Sequence, residues 1–323
     1  MRILVILPNW LGDAVMATPA IELLAHLYPN VRFTFLGSYV SIEALKHHPL
    51  CENAIIDETK KSSSRLIASY KLAKQLGKFD MAISFRNHIY SSLLLRFTGT
   101  VLTLAKKSWH SQMLLSHTPK ISTKQHLVKQ YVQLAMINND DFNEEIPRLK
   151  LYINAKHSEK PLLGINAGAT YGSAKRWYPE KFAAVAAAFH KEYDIVLFGG
   201  PKEVDISQEI AVKLLELGVK NFINLAGKTD IESLCANIAS CALFITNDSG
   251  PMHVAAAYQV PTVSIFGPTK YEETSQWMNE KSVIVRHEME CSPCMKRECP
   301  LKHHECMKSI TADEVIAAIK NLD

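Results

Sequence analysis

Residues 241–257, CALFITNDSGPMHVAAA, constrain this chain more than any other stretch. They open with an apolar run, 242–246, short enough for a buried parallel strand. A polar turn follows, Asn247-Asp248-Ser249-Gly250, and Pro251 begins a helical pattern. Proline suits a first helical position, and Asp248 or Ser249 can cap the helix. Such a strand–turn–helix leaves backbone donors beside the positive end of a helix dipole. That place favours anions, phosphates above all, and His253 falls in the first turn beside it. An ordinary capped helix carries the same pattern, so the rest of the chain has to decide.

The rest repeats the unit. Residues 2–7 read as a strand ending at Pro8, with Asn9-Trp10-Leu11-Gly12-Asp13 as the following loop. Residues 14–28 read as a helix with Pro19 near its start. Asp13 therefore sits near a helix N-terminus beyond a strand's carboxyl end, where ligands bind in open α/β sheets. Its carboxylate can cap the helix or serve as a base. Strands are expected at 32–37, 54–56 and 81–85, with helices at 41–47, 66–76 and 91–97 between and after them. Arg86 follows a strand end and is a candidate ligand for an anion. The pattern weakens over 99–120, which reads as a loop. Residues 125–137 are amphipathic and helical, 138–145 are polar, and 152–153 suggest a last strand. The domain boundary is placed here, giving domains 1–155 and 156–323.

The second half restarts the alternation. A strand at 162–166 runs into Ala167-Gly168-Ala169-Thr170-Tyr171-Gly172-Ser173-Ala174-Lys175. A small-residue loop exposes backbone N–H groups, and Lys175 adds a mobile positive charge; together they suit a diphosphate. It is not a P-loop, because no Gly-Lys-Ser/Thr opens the helix. Further strands are expected at 194–198 and 262–266, and a strand end at Asn224. Four strand ends in this half carry small and polar residues, the makeup of a nucleotide crevice. Strand–helix alternation throughout means α/β with parallel sheets.

Composition excludes some alternatives. No apolar run among the 323 residues reaches a spanning length, and the short N-terminal run lacks a signal-peptide cleavage pattern, so a cytoplasmic protein is expected. The net charge of +4 conceals a polarity. Residues 60–130 hold thirteen Lys or Arg against one acid, Asp80, a local net of +12. The remainder holds 23 basic and 31 acidic side chains, a net of −8. Such a field attracts a polyanionic partner or an anionic membrane surface.

The ordered motifs Pro8-Asn9-Trp10-Leu11-Gly12-Asp13, Gly168-Ala169-Thr170, Ala174-Lys175-Arg176-Trp177, Phe198-Gly199-Gly200, Asn224-Leu225-Ala226-Gly227-Lys228-Thr229 and Thr246-Asn247-Asp248-Ser249-Gly250-Pro251-Met252-His253 span nearly the whole chain. In these the chain resembles the ADP-heptose:lipopolysaccharide heptosyltransferases of glycosyltransferase family 9, type II most of all. The resemblance implies a GT-B fold, two Rossmann-like domains facing across a cleft, with the last helix, 311–322, packing back on the first. It implies inverting transfer of L-glycero-D-manno-heptose from ADP-heptose to the inner core of lipopolysaccharide, with no cofactor required. Asp13 takes the general base role, and Lys175 stabilises departing ADP. Thr170, Asp248, Ser249, Gly250 and His253 complete the donor site, with Glu203 on adenosine or ribose and Lys228 as a further contact. Asn9, Trp10 and Arg86 fall to the acceptor. The basic segment would meet phosphorylated lipid A and the inner leaflet of the inner membrane; no nucleic-acid motif accompanies it.

Cys291, Cys294, Cys299 and Cys306 form C-x2-C-x4-C-x6-C, with His303 and His304 nearby. The first pair has zinc-knuckle spacing, so these are either a structural metal site or free thiols. No metal is expected in the catalytic site. Two other functions fit a two-domain nucleotide binder: a nucleotide-sugar epimerase, for which the basic half has no purpose, and a non-catalytic lipid-A or nucleotide-binding module.

Overall fold

The computed structural model describes residues 1–136 and 145–322. They form two compact units, and the chain passes from one to the other between Tyr152 and Ile153.

The first unit is built on β1 (Arg2–Ile6), β2 (Arg32–Gly37), β3 (Cys51–Ile56), β4 (Met81–Ser84) and β5 (Leu102–Ala105), in the order β3-β2-β1-β4-β5. Every pairing is parallel. From β1 the chain winds outward to β2 and β3, then returns to the other side of β1 for β4. The strand order reverses between β1 and β4, the point where such sheets bind ligands. β4 is buried throughout and β1 from its second residue, which is why both read as unbroken apolar runs. Leu4, Ile6, Leu36, Phe79, Leu94 and Leu95 form one core cluster.

The second unit holds β6 (Leu162–Asn166), β7 (Asp194–Phe198), β8 (Phe222–Asn224), β9 (Cys241–Asn247), β10 (Thr262–Ile265) and β11 (Ser282–Val285). The order is β11-β10-β9-β6-β7-β8, again parallel, with the reversal between β6 and β9. Two buried asparagines end these central strands. Asn247 Oδ1 accepts from the Trp177 backbone N–H at 3.0 Å, and its Nδ2 donates to the Ala167 carbonyl at 2.7 Å. Asn166 Nδ2 donates to the Gly168 carbonyl and to Ser249 Oγ, each at 3.3 Å. The loops leaving β6 and β9 are thereby tied together.

Several expectations change. The helix expected over 14–28 is two, Leu11–Met16 and Thr18–Leu27, because Pro19 fits only an opening turn. The supposed loop 99–120 contains β5 and the helix Trp109–Leu114, which a Ser108–Ser111 capping box starts. No strand forms at 152–153; Tyr152 instead donates its hydroxyl to Glu22 at 2.9 Å. Strand β11 was not anticipated. The last helix, Ala312–Lys320, places Val315 and Ile319 in the core of the second unit, where it packs on helix Pro179–Phe189. The helix expected over 125–137 runs Leu127–Ala135, and its last expected residue and the polar stretch 138–144 lie outside the described residues. No helix among the described residues is long and apolar enough to cross a membrane.

Replacing Asn247 by Leu keeps the volume but strands the Trp177 N–H and the Ala167 carbonyl. Each buried group left unpaired costs about 1–3 kcal/mol. Urea unfolding followed by circular dichroism should show Asn247→Leu losing about 3 kcal/mol in the transition of the second unit; an unchanged midpoint would mean the two loops are held by other contacts.

Candidate active site

In the second unit the candidate residues gather at the carboxyl ends of β6 and β9. Lys175 Nζ lies 2.6 Å from Asp248 Oδ2; the carboxylate is buried and the lysine side chain mostly so. Thr269 Oγ1, beyond β10, donates to the same Asp248 oxygen at 2.6 Å. Lys175 also stands 5.0 Å from the Tyr171 ring centroid, a cation–π distance. The lysine is therefore a fixed, paired charge, which corrects its reading as a mobile one. Ser249 is the N-cap of helix Gly250–Ala257, yet its side chain makes no capping bond. Its hydroxyl is instead bonded to Thr246 Oγ1 at 3.0 Å and receives the Asn166 amide. The expected side-chain cap is absent because the β6 and β9 ends compete for the serine. The first-turn N–H groups of this helix thus keep their capacity for an anion. His253 lies buried in that turn.

A second cluster sits beside it. Glu203 is buried, and its Oε2 accepts from the Gly200 N–H at 2.8 Å. Thr170 Oγ1 donates to Oε1 at 3.4 Å. A Cβ on Gly168 would stand 2.1 Å from the Glu203 carboxyl carbon, so only glycine lets this carboxylate press on the loop. Lys228 stays outside the cluster: it is exposed, and its Nζ donates to the Asn224 carbonyl at 2.9 Å within its own turn.

In the first unit the candidates lie where β1 and β4 end. Trp10 is 54% exposed and serves as N-cap of helix Leu11–Met16 without a side-chain bond. Asn9 is exposed, and its carbonyl accepts from Ser38 Oγ at 2.8 Å. Asp13 is the third residue of that helix, half-buried, so it is not the capping residue. Burial, and then the negative charge of Asp13, push the Tyr131 phenol well above its ordinary range, which places the carboxylate near that ring. Arg86 is engaged on one side, and among the described residues its buried Nη2 has no hydrogen-bond partner. Its Nη1 pairs with Asp57 at 2.8 Å in a buried ion pair, and its Nε donates to the Leu7 carbonyl. The reason is topological: β3 runs out into Asp57, which carries no visible signature in the sequence.

Other groups here escaped the sequence reading. Arg65 stacks on Tyr90 at 4.3 Å. His88 is held below its ordinary range by burial and by the positive charges of Arg65, Lys60, His110 and Arg86. A cationic surface therefore adjoins the β4 end. Lys60, Arg65 and Arg86 all belong to the acid-poor segment, so its charge was the available signal.

Cys291, Cys294, Cys299 and Cys306 line one cavity of about 20 Å³ with Ala174, Pro268, His303 and His304. Burial, reinforced by the three neighbouring thiols, pushes Cys306 up to about 11. Among the described residues no three His, Cys, Asp or Glu side chains are placed to hold a metal ion.

Two doubly wound parallel sheets, one with an open helix N-terminus and a Lys–Asp pair at its switch point, are the architecture of a GT-B glycosyltransferase. Residues 69–305 match the model of glycosyltransferase family 9 (heptosyltransferase). The chain belongs to this family. It is 40% identical over 330 residues to lipooligosaccharide heptosyltransferase 2 of Campylobacter jejuni, covering 100% of this chain and 98% of the relative. The structure of E. coli ADP-heptose lps heptosyltransferase II superposes with a TM-score of 0.84 at 26% identity, covering 100% of this chain and 98% of that one. E. coli heptosyltransferase WaaC with ADP shares the fold, with a TM-score of 0.81 at 16% identity and complete coverage of both chains (100% each).

The Asp57–Arg86 pair gives the first unit an acid-sensitive element. Burial raises the Asp57 pKa, but the Thr59 hydroxyl and Arg86 outweigh it, leaving the carboxyl below its ordinary 3.8. A lowered folded pKa stabilises above the unfolded value and is lost as pH falls through the folded one. Unfolding of the wild-type first unit should therefore steepen in pH dependence below 3.8. Asp57→Asn should flatten that window and cost about 3–5 kcal/mol at neutral pH, because Arg86 is left buried and unpaired. A mutant that keeps the wild-type acid profile would show that the pair does not carry it.

Proposed function

We propose that this chain is an inverting heptosyltransferase that moves L-glycero-D-manno-heptose from ADP-heptose to the inner core of lipopolysaccharide or lipooligosaccharide. The observation that carries the reading is the Lys175–Asp248 pair beside the uncapped helix Gly250–Ala257. Departing ADP develops negative charge on its terminal phosphate. Lys175 and the first-turn N–H groups stabilise that charge where it forms, in a partly buried and preorganised setting. Asp248 and Thr269 hold the lysine for this task, Ser249 and Gly250 offer the turn's backbone, and His253 stands within it. Thr170 and Glu203 take the nucleoside side of the donor.

Inversion requires a base on the attacking hydroxyl, on the face opposite the leaving group. Asp13 takes that proton. Trp10, exposed beside it, supplies an apolar face for a sugar ring, and Asn9 a polar one. Lys60, Arg65 and His88 favour an acceptor bearing phosphate or carboxylate groups. The basic segment 60–130 holds the enzyme at the anionic cytoplasmic face of the inner membrane, where each nearby Lys or Arg contributes about 1 kcal/mol.

The test is incubation of the purified chain with ADP-heptose and defined truncated core acceptors, with mass spectrometry of the product. The wild type should add one heptose. Asp13→Ala should bind ADP as before while transfer falls by about 10²–10⁴-fold. Turnover retained in Asp13→Ala would remove Asp13 as the base; ADP binding without transfer in the wild type would favour a binding module.

A further inference from the structure

The Cys-rich segment does more than enclose a small cavity: its backbone and one histidine grip the loop that carries Lys175. Ala174 N–H donates to the Arg297 carbonyl at 3.0 Å, and the Tyr171 hydroxyl donates to the Met295 carbonyl at 2.8 Å. A Cβ on Gly172 would stand 2.2 Å from the Arg297 oxygen, so the two backbones meet there. The segment is anchored in turn, since Met295 N–H donates to the Pro268 carbonyl at 2.9 Å.

His304 completes the junction. Its Nε2 lies 2.9 Å from the Ala174 carbonyl and its Nδ1 lies 3.1 Å from the Tyr178 hydroxyl. A carbonyl only accepts, so Nε2 carries a proton, and in the neutral ring Nδ1 accepts from the tyrosine. The ring thus bridges the residue just before Lys175 and the N-cap of helix Pro179–Phe189. The loop needs such support. It is rich in small residues, it has only the short turn Ser173–Lys175 as regular structure, and ordering it costs conformational entropy. Lys175 must nevertheless hold a hydrogen-bonding position against Asp248.

We propose that His304 is a positioning residue for donor binding, fixing Lys175 through the Ala174 carbonyl. This rests on the reading of Lys175 as the group that meets the ADP diphosphate. A histidine tied to Ala174 restricts the loop before ligand arrives, so binding does not have to order it.

The experiment measures ADP affinity by calorimetry in the full chain. His304→Gln keeps an N–H donor at the end of a flexible side chain; His304→Met has a similar length and none. Each is made alone and with Lys175→Met. Lys175→Met should weaken ADP binding by about tenfold or more, the range of a charge-assisted hydrogen bond. His304→Met should weaken it several-fold, His304→Gln should remain near wild type, and His304→Met should add nothing once Lys175 is gone. Gly172→Ala, which disturbs the same junction from the loop side, should behave like His304→Met and stands in should that protein not fold.

Weak binding in Lys175→Met with wild-type binding in both His304→Met and Gly172→Ala would overturn the positioning role. So would equal losses in the Gln and Met variants, or losses that multiply with Lys175→Met. Wild-type binding in Lys175→Met is a separate result: it would remove the diphosphate role of Lys175, and the positioning role with it.

Discussion

A buried polar layer at the β6/β9 switch point organises the second unit. Asn166 and Asn247 end adjacent parallel strands, and each sends its amide into the loop leaving the other's neighbourhood. Buried amides are costly unless satisfied, so these bonds define one loop arrangement and penalise others. The result is a rigid floor on which Lys175 and Asp248 are paired. Without that floor the ion pair would have little net worth, since desolvating two charges offsets most of their attraction. With it, the pair keeps a positive charge in place beside a helix N-terminus whose own cap residue is engaged elsewhere.

The first unit uses the same topology for a different end. Its switch point lies between β1 and β4, and there too a buried cation–carboxylate pair forms, Arg86 with Asp57. That pair knits three strand ends: Arg86 follows β4, Asp57 follows β3, and the accepting Leu7 carbonyl follows β1. Nη1 and Nε of Arg86 are engaged by that pairing, while its buried Nη2 has no hydrogen-bond partner among the described residues, with Lys60, Arg65 and His88 nearby. Asp13 and Trp10 occupy the β1 loop, where a carboxylate and an exposed indole stand on a short, rigid helix start. Holding reactive groups on element ends rather than long loops keeps their geometry defined.

Much of this was legible because parallel strands buried on both faces write themselves as apolar runs, and most strand positions in the second unit follow from that rule. The failures share a cause. β5 and β11 are four-residue strands that only their neighbours in the sheet make into strands, and no local periodicity marks them. Asp13, Lys175, Asp248 and Ser249 could be singled out from turn chemistry and family resemblance. Their partners were not visible. Thr269, which bonds Asp248, comes from another strand end, as does Asp57, the partner of Arg86, and no spacing in the sequence reports a pairing made by the sheet order. For the same reason the sequence reports neither the Asp57 partner of Arg86 nor the bonds from the Cys-rich segment to the Lys175 loop.

The central claim is that the β6/β9 switch point holds the diphosphate of a nucleotide-linked sugar. A crystal structure of the chain with ADP tests it most directly. The diphosphate oxygens should lie within about 3.2 Å of Lys175 Nζ and of first-turn N–H groups in helix Gly250–Ala257, with Glu203 near the nucleoside. ADP bound elsewhere on the second unit, or on the first, with the Lys175–Asp248 pair untouched, would contradict it.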